Sequence, residues 1–140
     1  MPPSVPVVVV VDDDISVRES LELLIQNQGW QPALFESAQE FLARLPTVAP
    51  SCLILDVNLP DLSGLDIQQR ISDEKSSTPI IFITGYGDIP TSVRAMKAGA
   101  AEFLTKPLDD GILIEAIREA VVRSQANLKR TLNSFARLSR

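Results

Sequence analysis

Histidine is absent from the 140 residues of this chain, and cysteine occurs once, as Cys52. Without histidine, neither a Ser-His-Asp triad nor a histidine-ligated zinc site can form. A single thiol excludes an internal disulfide and a thiolate metal site and fits a reducing cytoplasm, so we interpret Cys52 as a small buried hydrophobe. The reactive groups that remain are carboxylates, hydroxyls and lysines, and carboxylates favour hard cations such as Mg²⁺.

The chain also lacks a signal peptide, and its run of five valines, Val7–Val11, is far too short to span a bilayer. We therefore expect no membrane association. The net charge of −5 argues against DNA binding by the body of the protein. The length fits one domain, and the apolar content of 45% is enough for a packed core.

Short apolar runs alternate along the chain with segments of helical periodicity. Runs that do not alternate with polar residues are typical of strands buried on both faces. We predict strands at Val7–Val11, Trp30–Phe35, Cys52–Leu55, Ile80–Ile83 and Ala101–Leu104. Pro32 marks the second of these as an edge strand. A βα unit repeated five times predicts an α/β fold with a doubly wound parallel sheet and helices on both faces, a three-layer sandwich.

The helices between these strands are predicted from capping residues and apolar spacing. Ser16 with Glu19, and Ser37 with Glu40, form capping boxes, and Asp88 and either Asp109 or Asp110 begin the last two helices. The third helix, from about Gly64 to Ser72, should bury Ile67 and Ile71 and expose Gln68, Gln69 and Arg70. The fourth should carry one apolar face made by Ile89, Val93, Met96 and Ala100.

Chemically useful side chains stand where four of the predicted strands end: Asp12, Asp13, Asp56, Thr84 and Lys106. The carboxyl ends of parallel strands share one edge of the sheet, so these groups should converge. Clustered carboxylates bind Mg²⁺, while a lysine and a threonine offer charge and a hydroxyl donor, which together suit phosphoryl transfer to a carboxylate. The plainer alternative is that Asp14 caps a helix, the other acids are solvated, and Lys106 is a surface charge.

Four motifs occur in order over residues 7–122: Val-Val-Asp12-Asp13-Asp14, Leu-Asp56-x-x-Leu-Pro60-x-x-x-Gly64, Ile-Thr84-Gly85 and Lys106-Pro107. Together they resemble the receiver domain of two-component response regulators, which implies a flavodoxin-like sheet of order 2-1-3-4-5. The stretches Thr84–Asp88 and Met96–Ala100 resemble regulators in which a helix-turn-helix DNA-binding domain follows the receiver.

The resemblance implies a role for each matching residue. Asp56 accepts phosphate from a histidine kinase, and Mg²⁺, for which Mn²⁺ can substitute, is bound by Asp13, Asp56 and the backbone carbonyl of Asn58, with Asp12 acting through water. Thr84, the N–H of Gly85 and Lys106 hold the phosphoryl oxygens, and Lys106–Pro107 is a cis peptide. Thr84 and Phe103 form a switch that acts on the surface of helix 4, strand 5 and helix 5. Packing alone would make Phe103 a core residue. Asn58 and Tyr86 border the path of the water that removes the phosphate.

We divide the chain into a disordered tail at 1–6, a receiver domain at 7–122, and a segment at 123–140 that extends the last helix or links to an output domain. The last segment is basic, and it carries an apolar stripe at helical spacing, made by Leu128, Leu132, Phe135 and Leu138. An isolated helix with such a stripe is expected to pack against a partner. We expect a sensor histidine kinase as partner, a homodimer through the helix 4–strand 5–helix 5 surface or the last helix, and DNA contact only through an output domain. The location expected is the bacterial cytoplasm.

The expected function is a phosphoacceptor switch that controls output, most simply transcription, rather than an enzyme. The alternative is a stand-alone receiver that shuttles or stores phosphate. A phosphatase of the haloacid-dehalogenase type would need an acid where Asn58 stands. An FMN-binding flavodoxin would need a Ser/Thr/Gly-rich loop after the first strand, where three aspartates stand instead. A degenerate receiver, acting by protein contact alone, is disfavoured by the intact acid cluster.

Overall fold

The computed structural model describes residues 5–44, 50–73, 78–85 and 89–138, with the side chains of 72–73 and 127–138 outside the description. Ten elements follow one another along the chain. They are β1 (Val7–Val11), α1 (Ile15–Asn27), β2 (Gln31–Phe35), α2 (Ala38–Ala43), β3 (Cys52–Asp56), α3 (Gly64–Asp73), β4 (Ile80–Thr84), α4 (Ile89–Lys97), β5 (Glu102–Thr105) and α5 (Asp110–Leu138).

The five strands form one sheet of order β2-β1-β3-β4-β5, and every neighbouring pair is parallel. This confirms the predicted doubly wound α/β fold and places β2, the strand with Pro32, at an edge. The register brings the carboxyl ends level: Val11 lies opposite Leu55, Asp56 opposite Ile83, and Thr84 opposite Thr105. Residues that follow the strands are therefore delivered to one edge of the sheet.

Each central strand is buried on both faces because helices cover both sides of the sheet. Val9, Leu53 and Phe82 face one apolar cluster, which is completed by residues of α2, α3 and α4. Val8, Ile54 and Ile81 face the other cluster, which is completed by α1 and α5. This two-sided burial explains why the strand sequences do not alternate between apolar and polar residues.

The predicted interpretation of Cys52 as a small hydrophobe is confirmed. Its side chain is fully buried in the apolar cluster between the sheet and helices α1 and α5, and burial raises the pKa of the thiol to about 12. A thiol with such a pKa carries almost no thiolate at neutral pH and is chemically inert.

Several predicted boundaries differ from the structure: β2 begins at Gln31 rather than Trp30, β3 and β4 extend by one residue to Asp56 and Thr84, and the starts of α1 and β5 also differ. The N-cap of α1 is Asp14, whose side chain accepts a hydrogen bond from the N–H of Ser16, so the predicted Ser16–Glu19 capping box is wrong. An aspartate caps as well as a serine, and here it stands where the strand has just ended. Strand β5 begins at Glu102 rather than Ala101 and includes Thr105, so Lys106 follows its end directly.

Helix α3 corrects a prediction about its exposed face. Ile67 and Ile71 are buried as predicted, but Gln68 is also buried, with 5% of its surface exposed. Its Nε2 donates a hydrogen bond of 3.1 Å to the backbone carbonyl of Ala95 in α4. A buried amide is tolerated where it has such a partner, and apolar periodicity gave no sign of that partner.

Helix α4 carries the predicted apolar face, and most of that face is exposed. Ala95 and Ala100 pack into the core, but Ile89, Val93 and Met96 are 78%, 43% and 45% exposed. These three residues, which we call the α4 stripe, lie at helical spacing on the outside of the molecule. Apolar spacing predicts which residues lie on one side of a helix, but it does not show whether another part of the same chain packs on that side.

Helix α5 spans 29 residues, from Asp110 to Leu138. Its first part packs against the sheet through Leu113, Ile117 and Val121. The predicted apolar series Leu128, Leu132, Phe135 and Leu138 lies outside the described side chains, as do Tyr86 and Asp88, so the predicted division of the chain stays a prediction. Within the described ranges, none of the helices combines the length and apolar content needed to cross a bilayer.

Candidate functional site

The side chains predicted to meet at the carboxyl edge of the sheet do so. Lys106 Nζ lies 3.0 Å from Asp12 Oδ2 and 3.5 Å from Asp56 Oδ2. One carboxylate oxygen each from Asp12, Asp13 and Asp56 lies within 4.8 Å of the others. The structure therefore brings the two acids after β1, the acid that ends β3 and the lysine after β5 into one pocket, which we call the acidic pocket.

Asp12 is the most deeply placed acid of the pocket, with no exposed surface. Its Oδ1 accepts the N–H of Asp14 at 2.8 Å, and its backbone carbonyl accepts Arg18 Nη1 at 2.7 Å. Its Oδ2 is buried without an aligned hydrogen-bond donor among the described residues, although it forms the ion pair with Lys106. The distance between Oδ2 and Lys106 Nζ defines an ion pair. Because no hydrogen-bond donor is aligned with Oδ2, this oxygen is still available to coordinate a cation.

Burial is the largest influence on the pKa of Asp12. Removal from water raises the pKa of the carboxyl above its ordinary value, and the hydrogen bond from Asp14 and the charge of Lys106 offset this only in part. The pKa of Lys106 is raised as well, but for a different reason. Burial alone would lower the pKa of its ammonium, but Asp12 and Asp56 raise it on balance, so Lys106 stays charged at neutral pH.

Asp56 is 5% exposed at the end of β3. Its Oδ1 accepts the backbone N–H of Asn58 at 2.9 Å, and its Oδ2 points toward Lys106. The amide Nδ2 of Asn58 reaches the hydroxyl of Thr84 at 3.4 Å, a long contact between the β3 and β4 sides of the pocket. Thr84 is almost fully buried, and Gly85 after it is exposed with nothing within 4 Å of the position of a Cβ.

The residues present suit a divalent cation. Asp12, Asp13, Asp56 and Lys106 carry three negative charges and one positive charge, a formal −2. Two like charges about 4 Å apart repel by about 4 kcal/mol at an effective dielectric constant near 20. A hard dication removes that repulsion and prefers carboxylate oxygens. Asp13 is exposed, so the pocket also opens to water, which Mg²⁺ keeps as part of its ligand shell.

Phe103 lies beside the pocket in β5. Its ring is half-buried, with its centroid 6.1 Å from that of Phe82 and tilted by 41°. It packs on the edge of the apolar cluster under α3 and α4. This position fits a core contact, and the switch role stays a prediction. The Lys106–Pro107 peptide bond is cis.

The loop between β3 and α3 is closed tightly against the end of β3. The N–H of Gly64 donates to the carbonyl of Val57 at 3.0 Å, and Asn58 and Ser63 form an antiparallel bridge. A Cβ at Gly64 would lie 2.9 Å from the carbonyl oxygen of Asp56 and 3.0 Å from the ring of Phe82. The glycine is therefore required by close approach of α3 to the strand that carries Asp56.

Two contacts near the pocket were not found from the sequence. Arg18 holds the backbone of Asp12 from α1, and Asp61 in the β3–α3 loop accepts the N–H groups of Ala38 and Gln39 at the start of α2. Asp61 looked like an ordinary turn residue, and its partners lie 23 and 22 positions earlier. A hydrogen bond between residues so far apart in the sequence cannot be predicted from a local sequence pattern.

The parallel sheet of order 2-1-3-4-5 and the acidic pocket at its carboxyl edge define a flavodoxin-like α/β protein with its ligand site where the strands end. The model of the response regulator receiver domain matches residues 8–118, and the chain belongs to this family. Receiver domains act as phosphoacceptor switches, pair with sensor histidine kinases and bind Mg²⁺ at an acidic pocket.

Named relatives support the same assignment. Nodulation protein W of Bradyrhizobium diazoefficiens is 47% identical over 132 residues, which cover 88% of this chain and 58% of that protein. The transcriptional regulatory protein FixJ of the same organism is 39% identical over 120 residues, covering 86% and 58%. The solved response regulator StyR has a TM-score of 0.85 at 40% identity, over 97% of this chain and 68% of that one. The chain thus spans 58% of the length of both curated relatives.

Proposed function

We propose that this chain is the receiver of a two-component response regulator and that Asp56 accepts a phosphoryl group from a sensor histidine kinase in a Mg²⁺-dependent reaction. The observation that carries the proposal is the position of Asp56. Its carboxylate is buried at the end of β3, within 3.5 Å of Lys106 Nζ and beside two further acids. The family match over residues 8–118 supports it.

Asp13, Asp56 and the backbone carbonyl of Asn58 would hold Mg²⁺ or Mn²⁺, with Asp12 acting through water. The cation would neutralise the acids and the incoming phosphoryl oxygens. An oxygen of Asp56 forms the new bond to phosphorus while the bond from phosphorus to the kinase histidine breaks, and the histidine nitrogen keeps the electron pair. Lys106, the hydroxyl of Thr84 and the N–H of Gly85 are the donors for the phosphoryl oxygens.

The signal would leave the pocket through Thr84 and Phe103, which change position together and alter the surface formed by α4, β5 and α5. We propose that this surface, or the extended α5, pairs two copies of the chain. The output is transcription through a DNA-binding domain elsewhere in the full protein, which the greater length of the relatives supports. A stand-alone receiver that shuttles or stores phosphate is the alternative.

The test is covalent labelling by acetyl phosphate with Mg²⁺, read by intact-protein mass. Wild type should gain one phosphoryl group, and Asp56→Asn should gain none because an amide is not a nucleophile here. Asp66→Asn is the matched control, since Asp66 is an exposed acid in the first turn of α3 and should label like wild type. Labelling of Asp56→Asn at the wild-type level would overturn the assignment of the acceptor.

A further inference from the structure

The N-terminus of α2 is capped by two segments of the chain. Ser37 is the N-cap residue, and its side chain accepts the N–H of Glu40 at 3.1 Å. The two N–H groups before that one, of Ala38 and Gln39, are accepted by the two carboxylate oxygens of Asp61 at 3.2 and 2.8 Å. The carbonyl of Ser37 accepts the next N–H, of Phe41. Three of the N–H groups that a helix leaves open at its start, those of Ala38, Gln39 and Glu40, are therefore satisfied by these side chains, and the Phe41 N–H makes the first bond within the helix.

Asp61 is suited to this contact by its chemistry. A carboxylate has two acceptor oxygens and a negative charge, and both match a helix N-terminus, which presents parallel N–H groups and a partial positive charge. The side chain is exposed, so it is not placed there by packing. The two hydrogen bonds join the tip of the β3–α3 loop to the start of α2, in addition to Leu59, which lies in the same apolar cluster as Ala38 and Phe41 of α2.

The same loop positions the candidate acceptor. Asn58, at its start, donates its backbone N–H to Asp56 Oδ1 at 2.9 Å. The bridge between Asn58 and Ser63 closes the loop, and residues 59–62 form its short tip, in which Leu59 is buried while Pro60 and Asp61 are exposed. A tether on the tip at Asp61 therefore restrains the backbone of Asn58, three residues away.

We propose that Asp61 is a positioning residue for the acidic pocket: by fastening the tip of the β3–α3 loop to the start of α2, it holds the Asn58 backbone in the place where it orients Asp56 and contributes a carbonyl to the cation. This rests on the proposed function, because it assigns Asn58 to the Mg²⁺ site. Asp61 itself touches neither Asp56 nor the cation.

The experiment compares Asp61→Ala with Ser37→Ala, a matched control that removes a cap from the same helix end but leaves the loop tethered. The dissociation constant for Mg²⁺ is measured by calorimetry on folded protein. Asp61→Ala should raise it by about threefold to tenfold, at or below the low end of the roughly 10- to 100-fold loss seen when a direct partner of a metal ligand is removed, because Asp61 acts on Asn58 only through the loop. Ser37→Ala should leave it at the wild-type value. Asp61→Asn keeps one acceptor oxygen and should fall between wild type and Asp61→Ala.

Hydrogen exchange gives a second readout, and its main measurement needs only the wild-type protein. In wild type, Mg²⁺ should slow hydrogen exchange at the amides of Ala38 and Gln39, which donate to Asp61, because a loop held by the cation holds its tether as well. In Asp61→Ala this protection should be lost while other helices stay protected.

Three results would count against the tether. Equal Mg²⁺ affinity of Asp61→Ala and wild type would reduce Asp61 to a helix cap, as would an equal loss of affinity in Ser37→Ala. Unchanged exchange at Ala38 and Gln39 in wild type with Mg²⁺ would overturn it too. If wild type binds no Mg²⁺ and takes no phosphoryl group, the proposed function fails, and this inference fails with it.

Discussion

Burying a carboxyl in the acidic pocket has a cost for folding. Asp12 illustrates this, since it is fully buried and its pKa is raised by that burial. A carboxyl whose pKa is higher in the folded than in the unfolded protein binds its proton more tightly when folded. Folding is therefore favoured at pH values below the ordinary pKa of 3.8, and this advantage is lost as the pH rises through the folded value.

We predict that Asp12→Asn is more stable than wild type at pH 7 in the absence of divalent cations. The gain should lie within about 0.5 to 2 kcal/mol, the range that stabilising substitutions reach at strained sites. Urea unfolding with chelator measures it. Saturating Mg²⁺ should narrow or reverse the difference, because a ligand that binds only the folded state stabilises wild type more. A variant less stable than wild type in chelator would contradict the expected sign.

Among single residues, the sequence predicted the position of those that directly follow or end a strand. Asp56 and Lys106 could be placed because each follows a run of apolar residues in a parallel sheet, and all such ends meet. Asp61, Arg18 and Gln68 could not be placed in the same way. Each forms a hydrogen bond with a backbone group elsewhere in the chain, and the residues next to it in the sequence do not indicate which group that is.

Among the elements, α3 and α4 are joined by a hydrogen bond inside the core. The carbonyl of Ala95 accepts both Gln68 Nε2 at 3.1 Å and the N–H of Ala100 at 3.0 Å, at the point where α4 ends. The bond therefore connects the helix that begins beside Asp56 with the helix that carries the α4 stripe.

We predict that Gln68→Ala lowers the free energy of unfolding by about 1–3 kcal/mol, because a buried acceptor loses a donor and a small void is left. Gln26→Ala is the matched control, since Gln26 is an exposed glutamine in α1, so the variant makes the same chemical change without removing a buried donor, and it should change stability by less than about 0.5 kcal/mol. Chemical denaturation of both variants measures the difference. Equal effects would mean that the bond between α3 and α4 contributes nothing to stability.

The elements themselves were predictable because their periodicity is strong and their order allows only one sheet type. Errors were confined to ends and faces. The start of α1 was misplaced because two capping residues, Asp14 and Ser16, stand close together, and only the backbone decides between them. The face of α3 was misjudged at Gln68, because apolar spacing does not show a hydrogen-bond partner on another helix.

For the whole molecule, the exposed α4 stripe lies on the side of the sheet opposite to α1 and α5, since α4 packs on one apolar cluster and those helices on the other. Ile89, Val93 and Met96 together leave a contiguous apolar series in water, which is a common property of surfaces that associate. The stripe is part of the surface that the proposed switch would alter.

We predict that beryllofluoride with Mg²⁺, which mimics the phosphoryl group, shifts wild type from monomer to dimer, and that Val93→Glu prevents this shift. A carboxylate at the centre of an apolar contact would be desolvated without a partner, which should weaken pairing by about 2 kcal/mol or more, on the order of thirtyfold in Kd. Leu23→Glu is the matched control, because Leu23 is an exposed apolar residue, 61% accessible, on α1. Sedimentation velocity should show a heavier species for wild type and Leu23→Glu only.

If Val93→Glu pairs as well as wild type, contact must be made elsewhere, and α5 becomes the surface to test. If wild type keeps one mass with and without beryllofluoride while labelling at Asp56 proceeds, the phosphorylated receiver acts as a monomer.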